Sequence, residues 1–164
     1  MEQRMSITEV DRACLSRAVE LAIQAEQAGN LPIGAVITLE GEIVGEGGNA
    51  IWQPRLNLQR HAEMEALKSI PEELWGRASE MTLLTTLEPC LMCMGAILLH
   101  GIGRVIFASS DPFGGASQVA PALPRFFRDQ FRKTEWIGPA FSLECDPLYK
   151  RIKVLENGRG LNID

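Results

Sequence analysis

Two short runs of this sequence hold residue types that bind a transition metal, His61-Ala62-Glu63 and Pro89-Cys90-Leu91-Met92-Cys93. Cysteines three apart in the first turn of a helix lie on one face, where free backbone N–H groups and the helix dipole favour thiolates. His61 opens another helical pattern, so both runs can aim ligands at a shared point. One histidine and two cysteines make three protein ligands with a fourth position open to water, the arrangement of catalytic rather than structural zinc. Zinc held this way brings the pKa of its water towards neutrality. Glu63, two residues past the histidine, is placed to move the proton.

Plainer readings of the same residues exist. A C-x-x-C pair in a reducing compartment also serves as a redox couple or as half of a structural zinc site. The chain has no second C-x-x-C, and a redox couple has no need of H-x-E upstream. Glu63 taken alone reads as a solvated carboxylate in a helix first turn. Cys14 and Cys145 read as buried structural thiols, the latter near the end of a strand. His100 reads as a cation at a helix C-terminus, where it suits the dipole.

The elements that must carry these groups can be read from periodicity. Ser6-Ile-Thr-Glu9 has capping-box spacing, and Ile7, Val10, Cys14, Ala18, Leu21, Ala22 and Ala25 follow at helical intervals up to Gly29. Residues 32–37 read as a strand, Glu40-Gly41 as a tight turn and residues 42–45 as the returning strand of a hairpin. A loop over residues 47–60 leads into a second helix at HAEMEALKSI, and residues 71–75 add a short turn. Residues 81–86 read as a buried strand, CLMCMGAILLHG as a third helix and residues 105–108 as another strand. Prolines and glycines over residues 112–124 mark an irregular segment of the kind that shapes pockets. Residues 136–143 read as a weak strand interrupted by Gly138-Pro139, and residues 147–155 as a terminal helix.

A chain of 164 residues with 46% hydrophobic and 23% charged side chains suits one folded domain spanning 1–164. No apolar run nears a membrane span and the first residues lack a signal core, which makes the cytoplasm the expected compartment. The net charge is −5, with residues 1–89 carrying 7 basic and 14 acidic side chains and residues 90–164 carrying 9 and 7. Such acidity disfavours a structured nucleic acid held by many phosphates.

Beyond the metal motif, Pro32-Ile-Gly-Ala-Val36, Gly45-Glu-Gly-Gly-Asn49, His61-Ala-Glu-Met-Glu-Ala-Leu67 and Thr86-Leu-Glu-Pro-Cys-Leu-Met-Cys-Met-Gly-Ala96 resemble the cytidine/deoxycytidylate deaminase superfamily. The similar branch is that of bacterial tRNA adenosine deaminases and guanine deaminases, and Ile102-Gly-Arg-Val105 continues the tRNA-type pattern. The resemblance covers about residues 6–116. It implies a three-layer α/β/α fold with a central mixed sheet of about five strands, usually in a homodimer. It also implies one zinc ion per chain on His61, Cys90 and Cys93, with Glu63 as proton shuttle. Asn49 matches an asparagine that hydrogen-bonds substrate, Ala62 a residue whose backbone N–H faces the base, and Asp111 a position that shapes the pocket. Trp52 is a candidate for base stacking or for ordinary packing.

Two stretches depart from the tRNA-type pattern. Asn57-Leu-Gln-Arg60 stands where an Asp-Pro-Thr-like approach to the histidine is usual, and PLYKRIKVLENGRGLNID replaces a basic, aromatic C-terminal helix. Arg125-Phe-Phe-Arg-Asp-Gln-Phe-Arg-Lys133 could bind single-stranded RNA by stacking and phosphate contacts, or be an amphipathic segment with its phenylalanines packed inward. The expected function is hydrolytic deamination of a nucleobase or nucleoside, purine type by resemblance. The alternatives are tRNA adenosine-to-inosine editing and a non-catalytic zinc-bearing partner subunit.

Overall fold

A computed structural model describes residues 7–159. Helix α1 (Glu9–Gln27) leads into the hairpin β1 (Gly34–Leu39) and β2 (Glu42–Gly48), followed by α2 (Ala62–Lys68) and a 3-10 segment, Glu72–Glu80. Strand β3 (Thr82–Leu87), helix α3 (Leu91–His100) and strand β4 (Arg104–Ser109) form a crossover unit. A second 3-10 segment (Ala116–Ala122), α4 (Arg125–Lys133), β5 (Glu135–Ile137) and α5 (Ser142–Gly158) complete the order.

The five strands form one mixed sheet in the order β2-β1-β3-β4-β5. Pairs β2–β1 and β1–β3 are antiparallel, and β3–β4 and β4–β5 are parallel. Helices cover both faces, and alternation along the strands decides which residue meets which layer. Ala35, Ile37, Leu83 and Val105 join Ala66, Leu67, Cys93 and Ile97 of α2 and α3 in one cluster. Val36, Leu84 and Ile106, their immediate neighbours, join Leu15, Ala18 and Ala22 of α1 and Cys145 and Leu148 of α5. The result is the expected α/β/α sandwich around a five-stranded sheet.

Close approach of helix to strand depends on missing side chains. A Cβ on Gly34 of β1 would lie 2.0 Å from the Ala18 carbonyl oxygen, so α1 rests directly on that backbone. The hairpin turn has Glu40 and Gly41 at φ 53° and 85°, the left-handed pair that a two-residue turn requires.

Several boundaries differ from the periodicity reading. The capping box at α1 is made by Thr8 and Asp11; Ser6 lies outside the described residues, and Glu9 is already helical. The stretch 136–143 gives only the three-residue β5, because Gly138-Pro139 ends it and α5 starts at Ser142. Cys145 therefore sits on a helix, 1% exposed, rather than near a strand end. The turn read over residues 71–75 is the start of a longer 3-10 segment, with Pro71 as its N-cap. In α4, Phe127 and Phe131 pack against the cluster of Met94 and Leu98 on α3, while Phe126 stays exposed; this is the amphipathic reading. No described helix is long and apolar enough to cross a membrane.

Candidate active site

The carboxyl ends of the parallel strands β3 and β4 open onto a crevice, the usual ligand position in such sheets. Two helices start there. His61 is the N-cap of α2 at φ −70°, ψ 156°, and Cys90 the N-cap of α3 at φ −72°, ψ 174°. Neither helix has a side-chain cap, so the free N–H groups of both first turns face the same region. Pro89 has no N–H to place in this turn, and its carbonyl accepts from the Ala116 amide at 2.9 Å, tying the loop after β4 to the cysteine.

His61 Nδ1 lies 3.6 Å from Cys90 Sγ and 3.6 Å from Cys93 Sγ, and the sulfurs are 3.7 Å apart. A tetrahedral zinc with ordinary bond lengths needs S–S and S–N edges of about 3.8 and 3.5 Å. The three donors therefore already form one face of a zinc tetrahedron. Among the described residues they are the group able to hold a metal. The Cys93 thiol and His61 hold the Cys90 thiol down to about 4, whereas the shared proton and burial push Cys93 up.

Glu63 is 3% exposed. Its Oε1 accepts from Thr85 Oγ1 at 3.2 Å, and its Oε2 lies 3.4 Å from Cys93 Sγ, which places the carboxylate beside the metal donors. Burial pushes its pKa up. A carboxyl so placed can hold a proton as well as release one.

Asn49 is 2% exposed, and its Oδ1 accepts from the amides of Leu31 (3.4 Å) and Ile51 (3.3 Å). These bonds fix the orientation of the amide and leave Nδ2, a buried donor, without a partner. The neighbouring loop is held by Asn30, whose Oδ1 accepts from the amides of Trp52 and Gln53, both at 2.9 Å.

A cavity of about 340 Å³ joins these groups; His61, Glu63, Asn49, Cys90 and Asp111 all line it. Ala62 is buried in the first turn of α2 and is not part of the lining. Trp52 is also outside it, buried beneath the Arg159 guanidinium at 3.9 Å from its ring centroid, so packing is its role. Cys14 and Cys145 are buried in the α1 and α5 layer, and His100 ends α3 stacked on Trp75.

Two contributions were not apparent from sequence. Glu88, 7% exposed, accepts from the amides of Asp111 (3.0 Å) and Ser117 (3.2 Å) and so shapes the loop that carries Asp111. Tyr149, Ile152, Lys153 and Glu156 of α5 form the remaining wall. Their i, i+3, i+4, i+7 spacing marks one helix face, the signal that could have identified them. Tyr149 Oη donates to Asp111 Oδ1 at 3.1 Å, and burial together with Asp111 pushes the phenol up to about 12, keeping it a donor.

The sequence profile of the cytidine and deoxycytidylate deaminase zinc-binding region matches residues 8–109, which span every metal donor and Glu63. The chain belongs to this deaminase family. By membership it is of the zinc-dependent deaminase class. A tRNA-specific adenosine deaminase of Bacillus subtilis is 39% identical over 111 residues, covering 65% of this chain and 66% of that protein. This chain thus spans just under two thirds of that relative. A solved structure from work on A-to-I editing by tRNA:A34 deaminases matches with a TM-score of 0.60 at 32% identity, over 65% of this chain and 82% of the other. The guanine deaminase of Bacillus subtilis matches with a TM-score of 0.55 at 31% identity, over 71% and 70%. The profile match ends at the close of β4, so α5 and its share of the pocket lie outside it.

Proposed function

We propose that this protein hydrolytically deaminates a free nucleobase or nucleoside of purine type. The observation that carries this reading is the cavity itself, whose outer wall is the chain's own helix α5. At about 340 Å³ it suits a small ligand enclosed on most sides. Arg151 pins α5 to Glu26 of α1 by paired bonds of 2.7 and 2.8 Å.

In the reaction a water oxygen bonds to the amine-bearing carbon, the C–N bond breaks and ammonia leaves. His61, Cys90 and Cys93 would hold a zinc ion, which would supply the Lewis acidity that makes water a nucleophile at neutral pH. Glu63 takes a proton from the water and gives it to the adjacent ring nitrogen, then takes the remaining proton from the hydroxyl now on the carbon and gives it to the amine, so that the C=O bond forms as ammonia leaves. Asn49 Nδ2 donates to an acceptor on the substrate ring. Asp111, oriented by Tyr149 and the Glu88-held loop, contacts the substrate at the far end.

Editing of adenosine in tRNA is the second reading, favoured by the identity of the tRNA-deaminase relatives. Ammonia release measured against free purines, their nucleosides and an anticodon stem-loop separates the two. Turnover confined to the RNA, with binding that weakens steeply with salt, overturns the first reading. The exposed Leu91 and Leu99 on α3 and the groove between α3 and α4 support a homodimer, which sedimentation tests.

A further inference from the structure

The cavity has two chemically distinct ends. At the metal end, Asn49 offers an unpartnered donor that is 98% removed from solvent. At the α5 end the free capacity is of the opposite kind. Glu156 lines the cavity with its side chain 16% exposed, and among the described residues its polar contact is Lys153 Nζ at 3.7 Å. That lysine is itself held over the rings of Phe113 and Tyr149, at 4.8 and 5.6 Å from their centroids. Asp111 stands at the same end, with Oδ1 taken by Tyr149 and by the Phe113 amide. Glu88, by contrast, has each oxygen engaged by a backbone amide.

Resting on the deaminase reading above, we infer that Glu156 is a specificity residue of this pocket. It selects an unphosphorylated heterocycle that presents a ring acceptor to Asn49 and a further N–H donor, beyond the reacting amine, to the α5 wall. An ionised carboxylate accepts hydrogen bonds and cannot donate them, so a donor edge satisfies it. A phosphate at this end would face Glu156 and Asp111 with a single lysine already engaged by Glu156 and two aromatic rings, an arrangement that repels it.

The test uses the zinc-loaded full chain, its Glu156→Gln and Lys153→Met variants, and four probes: adenine, 2,6-diaminopurine, adenosine and adenosine 5′-monophosphate. Each pair is followed by ammonia release and by calorimetric binding. In the unaltered protein 2,6-diaminopurine should exceed adenine in kcat/KM or affinity by about tenfold, the size of one charge-assisted hydrogen bond. Adenosine should exceed its monophosphate by about 100-fold. Glu156→Gln should bring the two bases within about threefold of each other, chiefly through a loss for 2,6-diaminopurine. Lys153→Met should leave the rejection of phosphate in place. The inference is overturned if Glu156→Gln lowers both bases equally, if the monophosphate is preferred and that preference vanishes in Lys153→Met, or if no probe binds. Selective binding without ammonia release from any probe would instead refute the deaminase reading and leave the selectivity standing, so the two failures are distinct. Thermal melting of both variants confirms that the fold is intact.

Discussion

Replacing Glu63 by glutamine isolates proton transfer from everything else at the site. The side chain is 3% exposed, and the exchange keeps its shape, so no cavity opens. The amide carbonyl still accepts from Thr85 Oγ1, the partner now at 3.2 Å, and none of the three metal donors is altered. What disappears is the capacity to take and return a proton. General acid–base catalysis contributes about 10² to 10⁴ in rate. Burial denies a substitute proton carrier easy entry here, which places the expected loss in kcat at about 10³ to 10⁴, or roughly 4–5.5 kcal/mol in the barrier. KM should change by less than about threefold, because uniform binding is untouched. Stability should hold or rise slightly, since a buried carboxyl pushed up by desolvation is replaced by a neutral group. The assay is ammonia release at saturating substrate, with zinc content by mass spectrometry and melting measured on the same sample. A loss below tenfold in a folded, zinc-containing variant refutes Glu63 as the proton carrier.

Chelation should lower the melting temperature by about 8–16 °C, the effect of losing roughly 4 kcal/mol of metal linkage, and zinc but not magnesium should restore it; a chelator that strips the metal without moving the melt would refute the donor triangle as a zinc site. Asp11→Asn should cost about 2 kcal/mol at neutral pH in urea unfolding. Burial raises the Asp11 pKa, but bonds from Arg104 (2.8 Å) and Thr8 outweigh it and leave the pKa below its ordinary value. A depressed folded pKa gives stability that is complete above the unfolded value near 4 and fades as pH falls through the folded one. The difference from the unaltered protein should therefore shrink in acid, and a gap that persists at pH 2 would contradict this account. Gly34→Ala should destabilise by about 3 kcal/mol or more, because the added Cβ meets the Ala18 carbonyl oxygen at 2.0 Å and α1 must move off the sheet; a melt within a degree of the original would disprove that contact.

The chemistry of the site was readable because its donors fall in two short runs, each placed where local rules are strong. His61 and Cys90 are N-caps and Cys93 follows Cys90 by one turn, while the pairing of the two runs across 29 residues came from the resemblance to the deaminase motif. The α1 stripe and the Glu40-Gly41 turn were legible for the same local reason. The α5 wall was not, because its approach to the cavity is decided by long-range pairs such as Arg151–Glu26 and Tyr149–Asp111, separated by 125 and 38 residues. Glu88 was passed over for a related reason. Its partners are backbone amides of a distant loop, and backbone donors leave no mark in a sequence. The Trp136 region misled because its apolar residues suit a strand, whereas Gly138 packs against the Phe107 ring and the chain turns away.

Helix α5 joins the sheet from beyond the stretch that defines the family, yet it supplies a whole side of the cavity. The metal donors, Glu63 and Asn49 thus lie within that stretch, whereas the Glu156 wall proposed to help choose the molecule lies beyond it. If the proposed role of that wall holds, changes at residues 149, 153 and 156 redirect choice without touching a metal donor. For an engineer, randomising that one helix face is the short route to a new substrate, and for lineages of such proteins it is the place where preferences can drift while the reaction stays the same.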